Sequence, residues 1–153
     1  MALRIESSAF KENEMIPARY TCDGANISPP LSWSDPPAET NTFALIFDDP
    51  DAPAKTWVHW VLYNIPAQID HLEENIPTGK EFDNGSKHGI NDFKNYGYGG
   101  PCPPGGTHGY RLKFYALDTD LDLGSGVTKQ QLIDAMDGHI LEKTELIGNY
   151  SRK

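Results

Sequence analysis

Residues 58–65, Val-His-Trp-Val-Leu-Tyr-Asn-Ile, are apolar on both sides of an extended backbone, and that limits the folds open to this chain. Successive side chains of a strand point to opposite faces, so Val58, Trp60 and Leu62 share one side and His59, Val61 and Tyr63 the other. Such a strand needs cover above and below. Fourteen glycines and twelve prolines punctuate the 153 residues, which favours many short elements over long helices. The cover is therefore expected from other strands: a mostly β protein, two antiparallel sheets packed face to face as a sandwich, with one short helix near the C-terminus.

Further strands are expected at 3–6, 42–48, 110–118 and 141–150, each rich in β-branched, aliphatic or aromatic residues between turn-formers. In the third of these, Tyr110, Leu112, Phe114 and Ala116 face a core while Arg111 and Lys113 open the other side. The helix is signalled by Thr128 with Gln131 three residues on, a capping-box pattern. Leu132, Ile133 and Met136 follow at helical spacing, Gly138 marks the stop, and the predicted length is about ten residues. Long connections remain at 22–41, 66–92 and 95–109, the natural places for functional surface. No linker or repeat divides the sequence, so residues 1–153 are expected to form a single domain, and a chain this long buries about 70% of its unfolded surface.

A formal charge of −9 and the lack of any Lys/Arg cluster exclude nucleic acid and anionic membrane surfaces as natural partners. No window approaches the roughly 18 apolar residues of a membrane span, and Met1 to Glu6 hold no apolar signal core, so a cytoplasmic location is expected. Cys22 and Cys102 are too few and too far apart for a disulfide framework. Free thiols are expected, with a redox-sensitive pair as the alternative if their two loops meet.

Two segments carry chemistry. In Asp49-Pro50-Asp51-Ala52-Pro53 the prolines fix φ and hold both carboxylates on a turn, close before Trp57 and His59. In the segment from Gly97 to Tyr110, glycines and prolines precede His108 and Tyr110. Taken singly, each histidine is as readily a structural group and each Asp-Pro a plain turn. Together they outline one pocket: a carboxylate fixing an imidazole, with His59 the first expected partner and His108 the second. Backbone N–H groups of Gly99, Gly100 and Gly106 with the Tyr110 hydroxyl would complete an anion site, walled by Trp57 and Pro101. The ligand-binding set is thus Asp49, Asp51, Trp57, His59, Gly100, Pro101, His108 and Tyr110. His71, His88 and His139 lack such neighbours and are assigned surface or structural roles. The glycines at 97, 99 and 100 open no helix and precede no Lys-Ser/Thr, so they are no nucleotide loop.

These motifs resemble the phosphatidylethanolamine-binding protein family, in particular its bacterial and archaeal Raf-kinase-inhibitor-like branch. Asp49 to Pro53 with Trp57 and His59 is similar to the family's first region, and Gly100-Pro101 with His108-Gly109-Tyr110 to its second. The stretch 20–33 and the C-terminal residues 139–150 are similar to the prokaryotic branch. The resemblance implies a β-sandwich whose surface pocket takes phosphate-like anions, including a phosphoryl head group, with a regulatory, partner-modulating role, an unknown protein partner and, in prokaryotic members, dimers. The arginine usual between the last histidine and tyrosine is Gly109 here. No cofactor and no metal are called for. With neither a nucleophile elbow nor HExxH, the expectation is a binding protein and not an enzyme; the alternatives are a metal-dependent or acid/base hydrolase using the His/Asp cluster, or a protease or kinase inhibitor acting through its loops.

Overall fold

The computed structural model describes residues 2–152. Its strands are β1 (Arg4–Glu6), β2 (Leu31–Ser34), β3 (Thr42–Asp49), β4 (Trp57–Pro66), β5 (His71–Leu72), β6 (Lys87–His88), β7 (His108–Leu117) and β8 (Ile140–Tyr150), with one α-helix, α1 (Lys129–Met136), and a short 3-10 helix at Ala18–Tyr20. All strand pairs are antiparallel. A small sheet runs β1-β2-β5 and a larger one β6-β4-β3-β7-β8. The fold is therefore mostly β, two antiparallel sheets with a helix near the C-terminus. Among the described residues no helix is long and apolar enough to cross a membrane.

The main core lies between the sheets. Ile5, Leu31 and Trp33 of the small sheet meet Phe43, Leu45, Phe47, Leu62, Leu112 and Phe114 of the large one. Trp33 and Phe43 both pack on Phe114, with ring centroids 4.6 and 5.1 Å from it. A second cluster sits on the outer face of the large sheet, where Leu132 and Met136 of α1 cover Ala44, Ile46, Val61 and Tyr63. Asp48, fully buried on that face, binds Lys113 and Lys129 and so fastens the start of α1 to the sheet. β3 thus sends Phe47 and Asp49 inward and Asp48 outward. The alternation matters because the pocket lies on the inward side.

Three features depart from the sequence-based expectations. The connections 22–41 and 66–92 contain β2, β5 and β6, short strands that prolines and polar residues conceal. The helix has eight residues, with Thr128 as N-cap in a complete capping box with Gln131 and Gly138 at φ 83° just beyond the end. Cys22 and Cys102 are joined in a disulfide instead of being free thiols. Their loops meet, which sequence separation alone does not reveal; the Cys22 N–H also donates to the Pro101 carbonyl.

One further correction bears directly on function. The pairing of β3 with β4 runs Phe47 with Trp60 and then Asp48 with Val58, leaving His59 as an extra residue on β4. This is a β-bulge, which disrupts pairing locally and re-aims side chains. Val58 moves to the outer cluster, away from Trp60 and Leu62, and His59 turns toward Phe47 and Tyr110 on the inner side. Plain alternation had put His59 on the other face.

Candidate functional site

Asp49 ends β3 and starts the proline-bounded turn. Its Oδ1 accepts the Asp51 N–H at 2.9 Å, a local closure that short carboxylates favour at turns. Its Oδ2 accepts from His108 Nδ1 at 2.6 Å, with both side chains almost wholly buried. Asp51 Oδ2 accepts the Gly109 N–H at 2.8 Å, tying the turn to the start of β7. The carboxylate partner expected for His59 therefore belongs to His108. Asp51 works as a latch and does not line the pocket.

His59 gives its Nδ1 proton to the Gly99 carbonyl at 2.6 Å. A carbonyl can only accept, so the neutral ring has its hydrogen on Nδ1 and a lone pair on Nε2. Burial pushes the His59 pKa below the usual imidazole range; the Gly99 carbonyl and the carboxylates of Asp49, Asp48 and Asp92 oppose this without overcoming it. In His108 the Asp49 carboxylate likewise keeps the hydrogen on Nδ1. Neither Nε2 has a protein partner among the described residues, and both rings line the same cavity.

Tyr110 completes the floor. Its ring centroid lies 5.3 Å from that of His59 and 6.2 Å from that of His108. The side chain is fully buried, yet its hydroxyl has no hydrogen-bond partner. Neither the Asp49 carboxylate nor the Cys102 backbone, though both are close enough to influence its ionisation, makes a well-formed bond to it. Burial first, and then the negative charge of Asp49, raises its pKa far above the ordinary tyrosine value, so the group is a neutral O–H donor.

The cavity holds about 110 Å³ and is lined by these three rings and Asp49, with Ala52, Trp57, Phe93, Cys102, Pro103 and Pro104 as walls. The donors expected from the glycine loop are already used: the Gly99 N–H goes to the His59 carbonyl and the Gly100 N–H to Asn26 Oδ1. Gly100 and Pro101 are buried and do not line the cavity, and Gly106 is exposed. Sequence reasoning missed Phe93, which packs edge-on against both Trp57 and His59 at the rim. An exposed aromatic among Asn91, Asp92, Lys94 and Asn95 was the available signal. Among the described residues no cluster of three His, Cys, Asp or Glu side chains is placed to hold a metal ion.

A two-sheet antiparallel β protein with a His/Asp/Tyr pocket at the strand ends defines the class. Residues 6–151 match the family described as phosphatidylethanolamine-binding protein, and the chain belongs to that family. A UPF0098 protein of Methanothermobacter thermautotrophicus is 51% identical over 150 residues, covering 98% of this chain and 99% of that one. Another, from Aquifex aeolicus, is 47% identical over 98% of this chain and 89% of its own. Among solved structures, a putative phosphatidylethanolamine-binding protein homolog of Chlamydia trachomatis superposes with a TM-score of 0.92 at 40% identity over 99% of both chains. E. coli YbcL, described as a member of the mammalian family, gives 0.89 at 30% identity over the full length of both.

Proposed function

We propose that this chain binds a small oxyanion of the phosphate or phosphoryl class in the pocket formed by Asp49, His59, His108 and Tyr110. The observation that carries this reading is the Tyr110 hydroxyl, a buried donor without a partner, facing the same space as two unpartnered imidazole nitrogens. Leaving a buried donor unpaired costs about 1–3 kcal/mol, which a bound oxygen recovers. Exposed Phe93 and Pro104 at the rim are where a protein partner would sense occupancy, and that gives the pocket a regulatory, partner-modulating role. A cytoplasmic location, as expected from the sequence, requires the Cys22–Cys102 bond to persist in a reducing compartment.

Calorimetry with inorganic phosphate tests the reading. Tyr110→Phe removes one donor and is expected to weaken binding by about tenfold to a hundredfold, with the melting temperature held or raised. His59→Ala weakens it as well. Affinity rises as pH falls below the usual imidazole range, because burial delays the protonation of His59 until then and a protonated Nε2 adds a donor and a charge. Affinity that is flat with pH and indifferent to both substitutions sinks the proposal.

A further inference from the structure

The polarity of the pocket is unusual for an anion site. Both Nδ1 atoms donate into the protein, His59 to a carbonyl and His108 to a carboxylate, each at 2.6 Å. Both Nε2 atoms of the neutral rings therefore present lone pairs, leaving the Tyr110 O–H as the side-chain donor on the floor, with the Trp57 indole N–H the other donor group carried by the lining side chains. An oxyanion without hydrogens would set its oxygens against two nitrogen lone pairs and beside the Asp49 carboxylate. An oxyanion with its own O–H groups would donate to them. The dihydrogen-phosphate form supplies two O–H donors for two Nε2 acceptors and a bare oxygen for Tyr110.

We infer that the pocket selects oxyanions that carry a proton, inorganic phosphate and phosphate monoesters, over sulfate and phosphodiesters, and that binding above neutral pH takes a proton from solvent. The inference rests on the oxyanion reading of the same site and narrows its ligand class. Balance is simple: the hydrogen-phosphate dianion and one proton enter, and the complex holds that proton between a phosphate oxygen and an imidazole Nε2. The charged and titratable groups around the rings are Asp49 and Asp51 on the turn after β3, Asp48 through the sheet with Lys113 and Lys129 bound to it, Asp92 paired with Lys55 at the rim, and Tyr110 on β7. Asp48 and Asp92 are offset by their lysines, whereas Asp49 and Asp51 have no lysine or arginine partner among the described residues, and these two carboxylates disfavour a bare dianion and favour one that has accepted a proton. A diester head group has no phosphate O–H, so a phospholipid's phosphoryl group fits this floor less well than a free monoester.

The test is calorimetry on the intact protein at about pH 8, above the ordinary imidazole range. The probes are inorganic phosphate, sulfate, phosphoethanolamine and glycerophosphoethanolamine, each measured in two buffers of different ionisation enthalpy. Phosphate is expected to bind at least about tenfold tighter than sulfate, the scale of one well-made hydrogen bond. The monoester is expected to outrank the diester, and close to one proton is taken up per phosphate. Asp49→Asn supplies a readout that a purely structural role would not move. Its amide would donate to His108 Nδ1, force the hydrogen onto Nε2 and turn that acceptor into a donor, so the preference for phosphate over sulfate narrows. Equal binding of phosphate and sulfate, or of monoester and diester, without proton uptake overturns the inference while leaving an oxyanion site in place. Failure of all four probes overturns the oxyanion reading itself. The comparison among ligands on the unmodified protein decides the matter even if Asp49→Asn does not fold.

Discussion

Protonation of His88 would set donors against donors inside a closed core. Its ring is fully buried, Nδ1 donates to the Gly79 carbonyl at 2.8 Å, and Nε2 accepts from the Trp60 indole at 3.0 Å. Only the neutral ring satisfies both, and burial pushes its pKa down, against the smaller opposing effect of the Gly79 carbonyl. His59 is lowered for the same main reason. Because the unfolded chain holds these protons more tightly, stability is complete above the ordinary histidine pKa of about 6.5 and declines as pH falls through it. Each group contributes a slope of up to about 1.4 kcal/mol per pH unit. His88→Gln keeps one acceptor for Trp60 and one donor for Gly79 without a titrating group. Urea unfolding between neutral and mildly acid pH should show a shallower pH dependence in this variant, and an unchanged slope would remove His88 from the account. The sequence put His88 among surface or structural histidines and His59 in a pocket. It could not show which acceptor each ring would find, because Gly99 and Gly79 enter through backbone carbonyls, which any residue can supply.

At the level of elements, the strands that build the pocket were legible and the irregularity that aims them was not. Runs of apolar residues marked β3, β4 and β7, since each buries a face that water would otherwise contact. The bulge at His59 follows from how β4 pairs with β3, a relation that no property of residues 58–65 alone expresses. β2 escaped because Leu31 to Ser34 is four residues long and stands between prolines, although its alternation of buried and exposed positions is regular. Gly109 is a similar case. On β7 it alternates with His108 and Tyr110, so a side chain there leaves the face opposite to the pocket. An added Cβ would meet Asn149 Oδ1 at 3.4 Å and Asp51 Oδ2 at 3.6 Å, ordinary contacts. Restoring the arginine that the family usually carries should therefore pair it with Asp51 at the surface, adding about 0–1 kcal/mol of stability. Gly109→Arg is expected to change phosphate affinity by less than about threefold, below 1 kcal/mol. A larger gain in calorimetry would mean that the cation reaches the pocket from its own face.

At the scale of the whole molecule, the pocket depends on two segments far apart in sequence that one covalent bond joins. The Cys22–Cys102 disulfide spans 80 residues and ties the loop before β2 to the loop before β7, with Cys102 in the cavity wall. Both cysteines sit among turn-formers, and the sequence left free thiols as the expectation because nothing local brings positions 22 and 102 together. Three hydrogen bonds act beside the disulfide: the Cys22 N–H to the Pro101 carbonyl, the Gly100 N–H to Asn26, and the Tyr98 hydroxyl to the Tyr20 carbonyl. They hold the loop as far as residue 101. Beyond it, Pro103 and Pro104 have no hydrogen bond of their own to the 18–26 segment, so the disulfide is the last anchor of that wall. Removing it with Cys22→Ser and Cys102→Ser frees a long loop in the unfolded chain and should lower stability by about 2–4 kcal/mol. For a chain of this size that corresponds to a melting temperature lower by about 5–15 °C. The wall must then be ordered again whenever ligand binds, at about 1 kcal/mol for each residue fixed, so phosphate affinity should fall by roughly tenfold. The preference for phosphate over sulfate should be unchanged, since His59, His108 and Tyr110 are held by other strands. Scanning calorimetry and titration of the double variant, with the unmodified protein under a dithiol reductant in parallel, check all three. Loss of the anion preference together with affinity would show that the disulfide sets the floor of the pocket as well as its wall.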